Sequence, residues 1–237
     1  MRGQFLRWGS FEQRALFFCG VGLYLADMRS VTDRYTALVA EQKITADAAQ
    51  EALLPELDQL QQAVLTPVRR GLFRKAAPAP KGLYIWGGVG CGKSFLMDLF
   101  VESLSDVVRR VHFHSFMQEV QNALHEARKT ATKDALAQVA KDISKGLKVL
   151  ALDEMQIKDI ADAMIVGRLF ELLFGHGVAV ITTSNRPPKD LYKNGLNRQL
   201  FLPFIAFIER DLVVHPMQSD TDYRHCLLYT SPSPRDS

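Results

Sequence analysis

Residues 87–94 read Gly-Gly-Val-Gly-Cys-Gly-Lys-Ser, which is a complete G-x-x-x-x-G-K-S phosphate loop. In such a loop the backbone amides surround phosphate oxygens, and the positive end of the following helix adds to the attraction. We expect Lys93 to reach the β- and γ-phosphates and the Ser94 hydroxyl to bind Mg²⁺. The predicted nucleotide contacts are Gly87, Gly88, Val89, Gly90, Cys91, Gly92, Lys93, Ser94 and Phe95. The motif predicts a chain that binds a nucleoside triphosphate together with Mg²⁺.

Two adjacent acids, Asp153 and Glu154, end the apolar run at 149–152. Such a strand delivers its last side chains to the crevice that holds the phosphates. Asp153 is predicted to hold Mg²⁺, directly or through water, opposite Ser94. Glu154 is the candidate general base, or positioner, for the attacking water. Taken without the phosphate loop, the pair would be read as ordinary acids at the start of a helix.

Polar residues after the next strand complete the predicted catalytic set. Asn185 is the first choice for a contact with the γ-phosphate or the lytic water, and Thr183 is the second. In ring-forming ATPases, an arginine beyond this strand stabilises the γ-phosphate of the neighbouring subunit. Arg198 is the first choice for that role and Arg210 the second, and a surface arginine is an equally good interpretation of either.

Two other features favour structural roles. Cys91 lies inside the phosphate loop, where a small side chain tolerated at a variable position is favoured over thiol-based control. His112 and His114 are predicted to share one face of a strand, but no cysteine or acid cluster completes a metal site with them. We expect them to pack, or to contact a partner surface.

These side chains require a sheet whose strand ends meet. From residue 82 onward, short apolar runs alternate with amphipathic helical stretches, which predicts parallel strands joined by right-handed crossovers. Continuous apolar strands are typical of a sheet that is buried on both faces. The predicted fold class is α/β, a doubly wound parallel five-stranded sheet with its ligand crevice at the carboxyl ends of the strands. Strands are predicted at 83–86, 111–114, 148–152, 178–182 and 212–215, and helices at 94–108, 116–128, 134–144 and 161–174.

The flanking segments differ in composition from this core. We expect an N-terminal extension at 1–30, with Met28 as a plausible natural start, and a helical segment with a basic linker at 31–80. Pro55 is predicted to divide the helical segment into two helices. The nucleotide-binding core is assigned to 81–224. The Ser/Pro-rich residues 225–237 are expected to be a disordered tail that does not look native.

Length, net charge and cysteine content limit the classes of protein to which this chain can belong. With 237 residues, 47% of them hydrophobic and 23% charged, the chain can form one large α/β domain. A net charge of +3 is too small to indicate nucleic acid or an anionic membrane as a partner. Three widely spaced cysteines suit a reducing compartment. No apolar run reaches the length of a membrane-spanning helix.

Several longer segments resemble a known family, the ZapE-type AAA+ ATPases of bacterial cell division, which have mitochondrial relatives in an AFG-like group. The resemblance covers roughly residues 31–224, and the segments that carry it are 82–94, 110–117, 159–164, 183–188, 191–196, 201–203 and 222–224. The most specific are His-Phe-His at 112–114, Asp-Ala-Met at 162–164 and Leu-Tyr-Lys-Asn-Gly at 191–195. The resemblance implies an AAA+ fold, Mg-ATP hydrolysis and homo-oligomers. In bacteria it also implies a cytoplasmic role at the septum, peripheral to the membrane, through contact with the tubulin-like ring protein FtsZ.

The chain departs from the family pattern at three places. Leu-Asp-Glu-Met stands at 152–155 where Phe-Asp-Glu-Phe is usual, but both acids are kept. Asp-Pro-Leu is usual near 133–136. The helical lid that normally follows Arg224, and carries a further nucleotide-sensing arginine, is expected to be missing. Nucleotide binding is therefore the firmer expectation, and hydrolysis is the one to be tested.

The predicted function is ATP hydrolysis that remodels a protein partner, the division ring. Four alternatives stay open. They are a nucleotide-dependent scaffold without essential catalysis, a mitochondrial-type quality-control ATPase, a small-molecule phosphotransferase with its own acceptor pocket, and a helicase-loader-like protein, for which more positive charge is expected than +3.

Overall fold

A computed structural model describes residues 30–66, 79–104, 107–129 and 134–217. The predicted N-terminal extension before Ser30, residues 67–78 of the predicted linker, and the predicted tail all lie outside these ranges. No helix within them is both long enough and apolar enough to cross a membrane.

The core is a sheet of five parallel strands in the order β2-β3-β4-β1-β5. The strands are β1 (Gly82–Gly87), β2 (Val108–His112), β3 (Val149–Asp153), β4 (Ala179–Ser184) and β5 (Leu212–Met217). The helices are α1 (Val31–Ala40), α2 (Ala48–Glu51), α3 (Leu54–Leu65), α4 (Lys93–Leu104), α5 (Phe113–Lys129), α6 (Ala135–Ile143), α7 (Ile160–Gly175) and α8 (Leu202–Asp211). Since β1 lies between β4 and β5, the tips of β3 and β4 lie on the same side of the phosphate loop. The predicted doubly wound α/β fold is confirmed.

Both faces of this sheet are covered. Every residue of β3 and of β4 is buried, as the continuous apolar runs predict. Successive side chains point to opposite faces, so Leu150 and Leu152 join one core while Val149 and Ala151 join the other. The first core also contains side chains of α5, α6, α7 and α8, and the second those of α1, α3 and α4. The sheet is thus held rigidly beneath the strand tips that form the site.

The N-terminal segment differs from its prediction. It forms three helices, and the main break lies at residues 41–47, before α2. Helix α2 ends at Glu51 and α3 begins at Leu54 with Pro55 in its first turn, so the predicted break at Pro55 is confirmed. The additional break at 41–47 gives three helices instead of the predicted two. The carboxylate of Asp58 on α3 accepts hydrogen bonds from the backbone N–H groups of Val31 (2.8 Å) and Thr32 (3.2 Å). These bonds fix the start of α1 against α3.

The junction between β2 and α5 also differs. The strand ends at His112 and the helix begins at the next residue, Phe113. The prediction that His112 and His114 share a strand face is therefore wrong, because His114 lies on α5. Phe113 and Phe116 are both buried, so the helical spacing of apolar residues starts three positions earlier than predicted. The described residues contain no group of three or more histidines, cysteines or acids suited to a metal ion.

Candidate nucleotide-binding site

The phosphate loop connects the end of β1 to the start of α4. Gly90 and Gly92 have φ angles of 88° and 87°, in the left-handed region that glycine adopts without steric cost. Gly87 meets a different requirement, because a Cβ there would lie 2.0 Å from the carbonyl oxygen of Met217 on β5. Gly88 and Val89 are exposed at the rim of the loop. The glycine pattern therefore reflects both the turn and a close approach between strands.

The Lys93 side chain folds back into this loop and is almost fully buried. Its ammonium donates hydrogen bonds to the carbonyl oxygens of Gly87 (3.0 Å) and Gly88 (2.6 Å), and lies 3.6 Å from the Cys91 sulfur. The Cys91 thiol is buried and donates to the Gly88 carbonyl at 3.1 Å. A positive charge is thus held within the predicted phosphate-binding loop, where phosphate oxygens can replace the carbonyl contacts.

We expect the two neighbouring glycines at the start of the loop to respond differently to a methyl group. Gly87→Ala should lower the free energy of unfolding by about 2–3 kcal/mol, since its Cβ would overlap a backbone oxygen that cannot move without β5. Gly88→Ala is the matched control, because a Cβ there meets nothing within 4 Å, and its effect should stay below about 0.5 kcal/mol. Urea unfolding of both variants measures the difference. Equal stability of the two would contradict this account.

Asp153 is the last residue of β3 and its carboxylate is buried. One of its oxygens, Oδ2, accepts a hydrogen bond from the Arg110 Nε at 2.6 Å. The other oxygen accepts from the Thr183 hydroxyl at 3.4 Å. Glu154 follows with φ of 55°, an unusual conformation for a residue with a side chain, and its N–H donates to the Thr183 Oγ1 at 3.0 Å. Glu154 is exposed, so the two adjacent acids have different environments suited to different tasks.

Arg110 connects this strand tip to the helix after the phosphate loop. Its guanidinium forms an ion pair with Asp98 on α4, and its Nη2 lies 3.5 Å from the carbonyl oxygen of Ser94. Ser94 and Asp153, the predicted magnesium ligands, are therefore both contacted by one side chain. A hydroxyl and a carboxylate are oxygen ligands that suit Mg²⁺. Sequence motifs did not single out Arg110, whose only signal is its place in the segment 110–117.

The tip of β4 holds the acids in place. Thr183, the second choice beside Asn185, is buried and contacts both Asp153 and the backbone of Glu154. Asn185 is exposed in the turn that follows. The Tyr84 hydroxyl donates to the carbonyl oxygen of Arg186 at 2.8 Å and so anchors that turn to β1. Burial raises the pKa of Tyr84 well above its usual value, and the phenol therefore stays protonated as a donor.

The hydrogen-bond partners of Arg198 and Arg210 belong neither to the acid pair nor to the phosphate loop. Arg198 lies in the short 3-10 turn Arg198–Leu200, and its Nη2 donates to the carbonyl oxygen of Lys189 at 2.6 Å. Arg210 lies near the end of α8 and is paired with Asp211, with an Nε–Oδ2 distance of 2.9 Å. A role for either toward a neighbouring subunit stays a prediction.

Three solved structures illustrate the similarity in fold. The crystal structure of DnaI aligns with a TM-score of 0.53 at 15% identity and covers 84% of this chain and 92% of that chain. DnaA bound to AMPPCP and single-stranded DNA gives 0.54 at 14% identity, over 85% of this chain and 53% of that chain. The DnaC helicase loader aligns with a TM-score of 0.51 at 14% identity and covers 78% of this chain and 99% of that chain. At these identities the likeness shows the fold alone, a P-loop NTPase fold of the AAA+ type.

Sequence relatives define the family more closely. A protein of Schizosaccharomyces pombe known as uncharacterized protein C115.02c is 41% identical over 68% of this chain and 38% of its own length. Lactation elevated protein 1 homolog B of Danio rerio is 41% identical over 61% of this chain and 31% of its own. Cell division protein ZapE of Escherichia coli K12 is 43% identical over 61% and 38%. The chain thus spans about a third of the length of these relatives. Residues 29–235 match the family described as AFG1-like ATPase, and the chain belongs to that family.

Proposed function

We propose that this chain binds Mg-ATP in the loop between β1 and α4 and hydrolyses it, as an ATPase of the AAA+ type. One observation carries the proposal. Arg110 reaches both the buried carboxylate of Asp153 and the first turn after the phosphate loop, so the acid pair lies beside the loop that would hold the phosphates. Membership in the AFG1-like ATPase family supports the same chemistry.

Each side chain has a distinct task in this proposal. The Lys93 ammonium exchanges its carbonyl contacts for β- and γ-phosphate oxygens, and the loop amides bind the remaining oxygens. Ser94 and Asp153 would hold Mg²⁺, which would supply charge neutralisation at the phosphate oxygens. Glu154 orients the attacking water and accepts its proton, with its backbone held by Thr183. Asn185, at the turn after β4, contacts the γ-phosphate or this water.

We further propose that hydrolysis drives the remodelling of a protein partner. A 43% identical relative is named a cell division protein, which supports a role in bacterial cell division. The partner that we propose is the division ring, through FtsZ, in a bacterial cytoplasm. In this proposal the chain acts as a homo-oligomer, with Arg198 facing the γ-phosphate of the next subunit. Arg198 is partly exposed, and its Nη2 donates to a backbone carbonyl oxygen. It can therefore exchange this hydrogen bond for one to a phosphate without leaving a carboxylate unpaired.

Phosphate release from ATP by the purified 237-residue chain tests the proposed reaction. We expect release with Mg²⁺ and without any added acceptor, and we expect an excess of EDTA to abolish it, because Mg²⁺ supplies the charge neutralisation that the transferred phosphoryl group needs. Turnover that appears only with an added nucleoside or sugar would favour a phosphotransferase. A chain that shows no calorimetric response to Mg-ATP would contradict the proposal.

A further inference from the structure

The guanidinium of Arg110 makes three contacts that reach two separate elements. It bonds to Asp153 at the tip of β3, forms an ion pair with Asp98 on α4, and lies beside the backbone carbonyl oxygen of Ser94. The arginine side chain is 25% exposed and that of Asp153 only 7%. Charge-assisted bonds to a fixed, planar guanidinium are directional as well as strong. This one side chain therefore joins the start of α4 to the end of β3.

This link lies where ligand spacing matters most. Mg²⁺ requires a nearly ideal octahedral set of oxygens and tolerates little displacement of its ligands. Ser94 and Asp153 come from different elements, so their separation depends on what fixes α4 against β3. Arg110 donates to one oxygen of Asp153, Oδ2, and among the described residues Oδ1 accepts only the longer contact from Thr183. Because the contact of Oδ1 with Thr183 is long, Oδ1 is the oxygen that can more easily bind the metal ion or a water molecule on it.

We propose that Arg110 is a positioning residue for magnesium, which sets the distance and orientation between Ser94 and Asp153. This inference rests on the proposed function, because it concerns the magnesium ion of that same site. A purely electrostatic role, in which Arg110 only neutralises a buried carboxylate, is a different idea with a different outcome. Lysine keeps the charge but offers a single ammonium on a flexible stem, and it cannot reproduce the planar set of contacts.

The magnesium dependence of nucleotide binding tests the proposal without measuring turnover. A fluorescent ADP derivative is bound to the full chain, and the Mg²⁺ concentration for half-maximal binding is measured for the wild type, Arg110→Gln and Arg110→Lys. Loss of groups that orient metal ligands typically weakens metal binding by tenfold or more. We expect the half-maximal Mg²⁺ concentration to rise about tenfold in both variants. We expect nucleotide affinity in EDTA to stay within about twofold of the wild type, since Lys93 and the loop are unchanged.

Arg109 provides the matched control. It is the preceding residue on β2, points to the opposite face, and pairs with Glu119 on α5. Arg109→Gln should leave the magnesium dependence unchanged. If Arg110→Gln fails to fold, Asp98→Ala can replace it, because it removes the ion pair between Arg110 and α4 at a half-exposed site. Asp98→Ala should also raise the half-maximal Mg²⁺ concentration, by a smaller factor.

The outcomes separate the competing explanations. An Arg110→Lys variant with wild-type magnesium dependence would show that charge alone suffices and would overturn the proposal. Equal losses of affinity with and without Mg²⁺ in Arg110→Gln would do the same, because they would mean a general structural role. A wild-type chain that binds nucleotide independently of Mg²⁺ would instead refute the proposed magnesium site, whatever Arg110 does.

Discussion

Replacing Lys93 with alanine is expected to lower the affinity for ATP by about a hundredfold or more. The ammonium is buried in the loop and its present acceptors are two backbone carbonyl oxygens, which phosphate oxygens can replace. Each hydrogen bond from a charged group contributes about 1.5–3 kcal/mol. Since about 1.4 kcal/mol corresponds to a factor of ten, losing two such bonds to a triphosphate reaches at least this range.

Titration calorimetry with Mg-ATP measures the loss directly. Lys145→Ala is the control, because Lys145 is 68% exposed and is paired with Asp142 at the end of α6. Its affinity should match that of the wild type. Unfolding curves of both variants show whether the Lys93 variant still folds, since the alanine leaves the buried carbonyl oxygen of Gly87 without this donor. If Lys93→Ala bound Mg-ATP as well as Lys145→Ala, the phosphate loop would not be the nucleotide site.

Local patterns predicted the parts of the site that depend on a short stretch of chain. The loop at 87–94 needs only its own glycines and the helix after it, and the structure gives Gly90 and Gly92 the left-handed angles that the motif requires. The strand that ends at Asp153 was recognisable because a sheet buried on both faces needs continuous apolar residues. The five-strand parallel fold followed from the alternation of such strands with helices.

Contacts between distant parts of the chain were not predictable in this way. Arg110 and Asp153 are 43 positions apart, and nothing in either local sequence indicates that they form a pair. Thr183 shows the same limit, because its hydroxyl contacts Asp153 and Glu154 only once β4 lies beside β3. As a result, sequence favoured Asn185 at the strand end, whereas the residue that touches both acids is the buried Thr183.

Some element boundaries were not predictable from local patterns. Pro55 does mark the start of a helix, α3, but the break at 41–47 was not predicted, so the segment has three helices instead of two. At 111–114 the alternation of Val, His, Phe and His resembles a strand. The buried pair Phe113 and Phe116 has helical spacing, however, and packing against the core decides in favour of α5.

Replacing Glu154 with glutamine is expected to reduce ATP hydrolysis by about 10²–10⁴-fold and to leave Mg-ATP affinity equal or higher. Glutamine has nearly the same shape but cannot accept a proton from the attacking water. The backbone N–H of residue 154 would still donate to the Thr183 hydroxyl, so the strand tip should keep its position. Phosphate release and calorimetry separate the two effects. Glu126→Gln is the control, since Glu126 is exposed on α5 and pairs with Lys129.

The same variant separates remodelling from scaffolding. We expect the wild-type chain with ATP to change the amount of FtsZ polymer that sediments, and the Glu154→Gln variant to bind ATP without producing this change. A scaffold needs only the nucleotide-bound state, so for a scaffold the variant would act as the wild type does, or more strongly because it holds ATP longer. Unreduced hydrolysis by Glu154→Gln would instead remove Glu154 from the mechanism. Thr183 and Asn185 at the tip of β4 would then become the candidates for positioning the water.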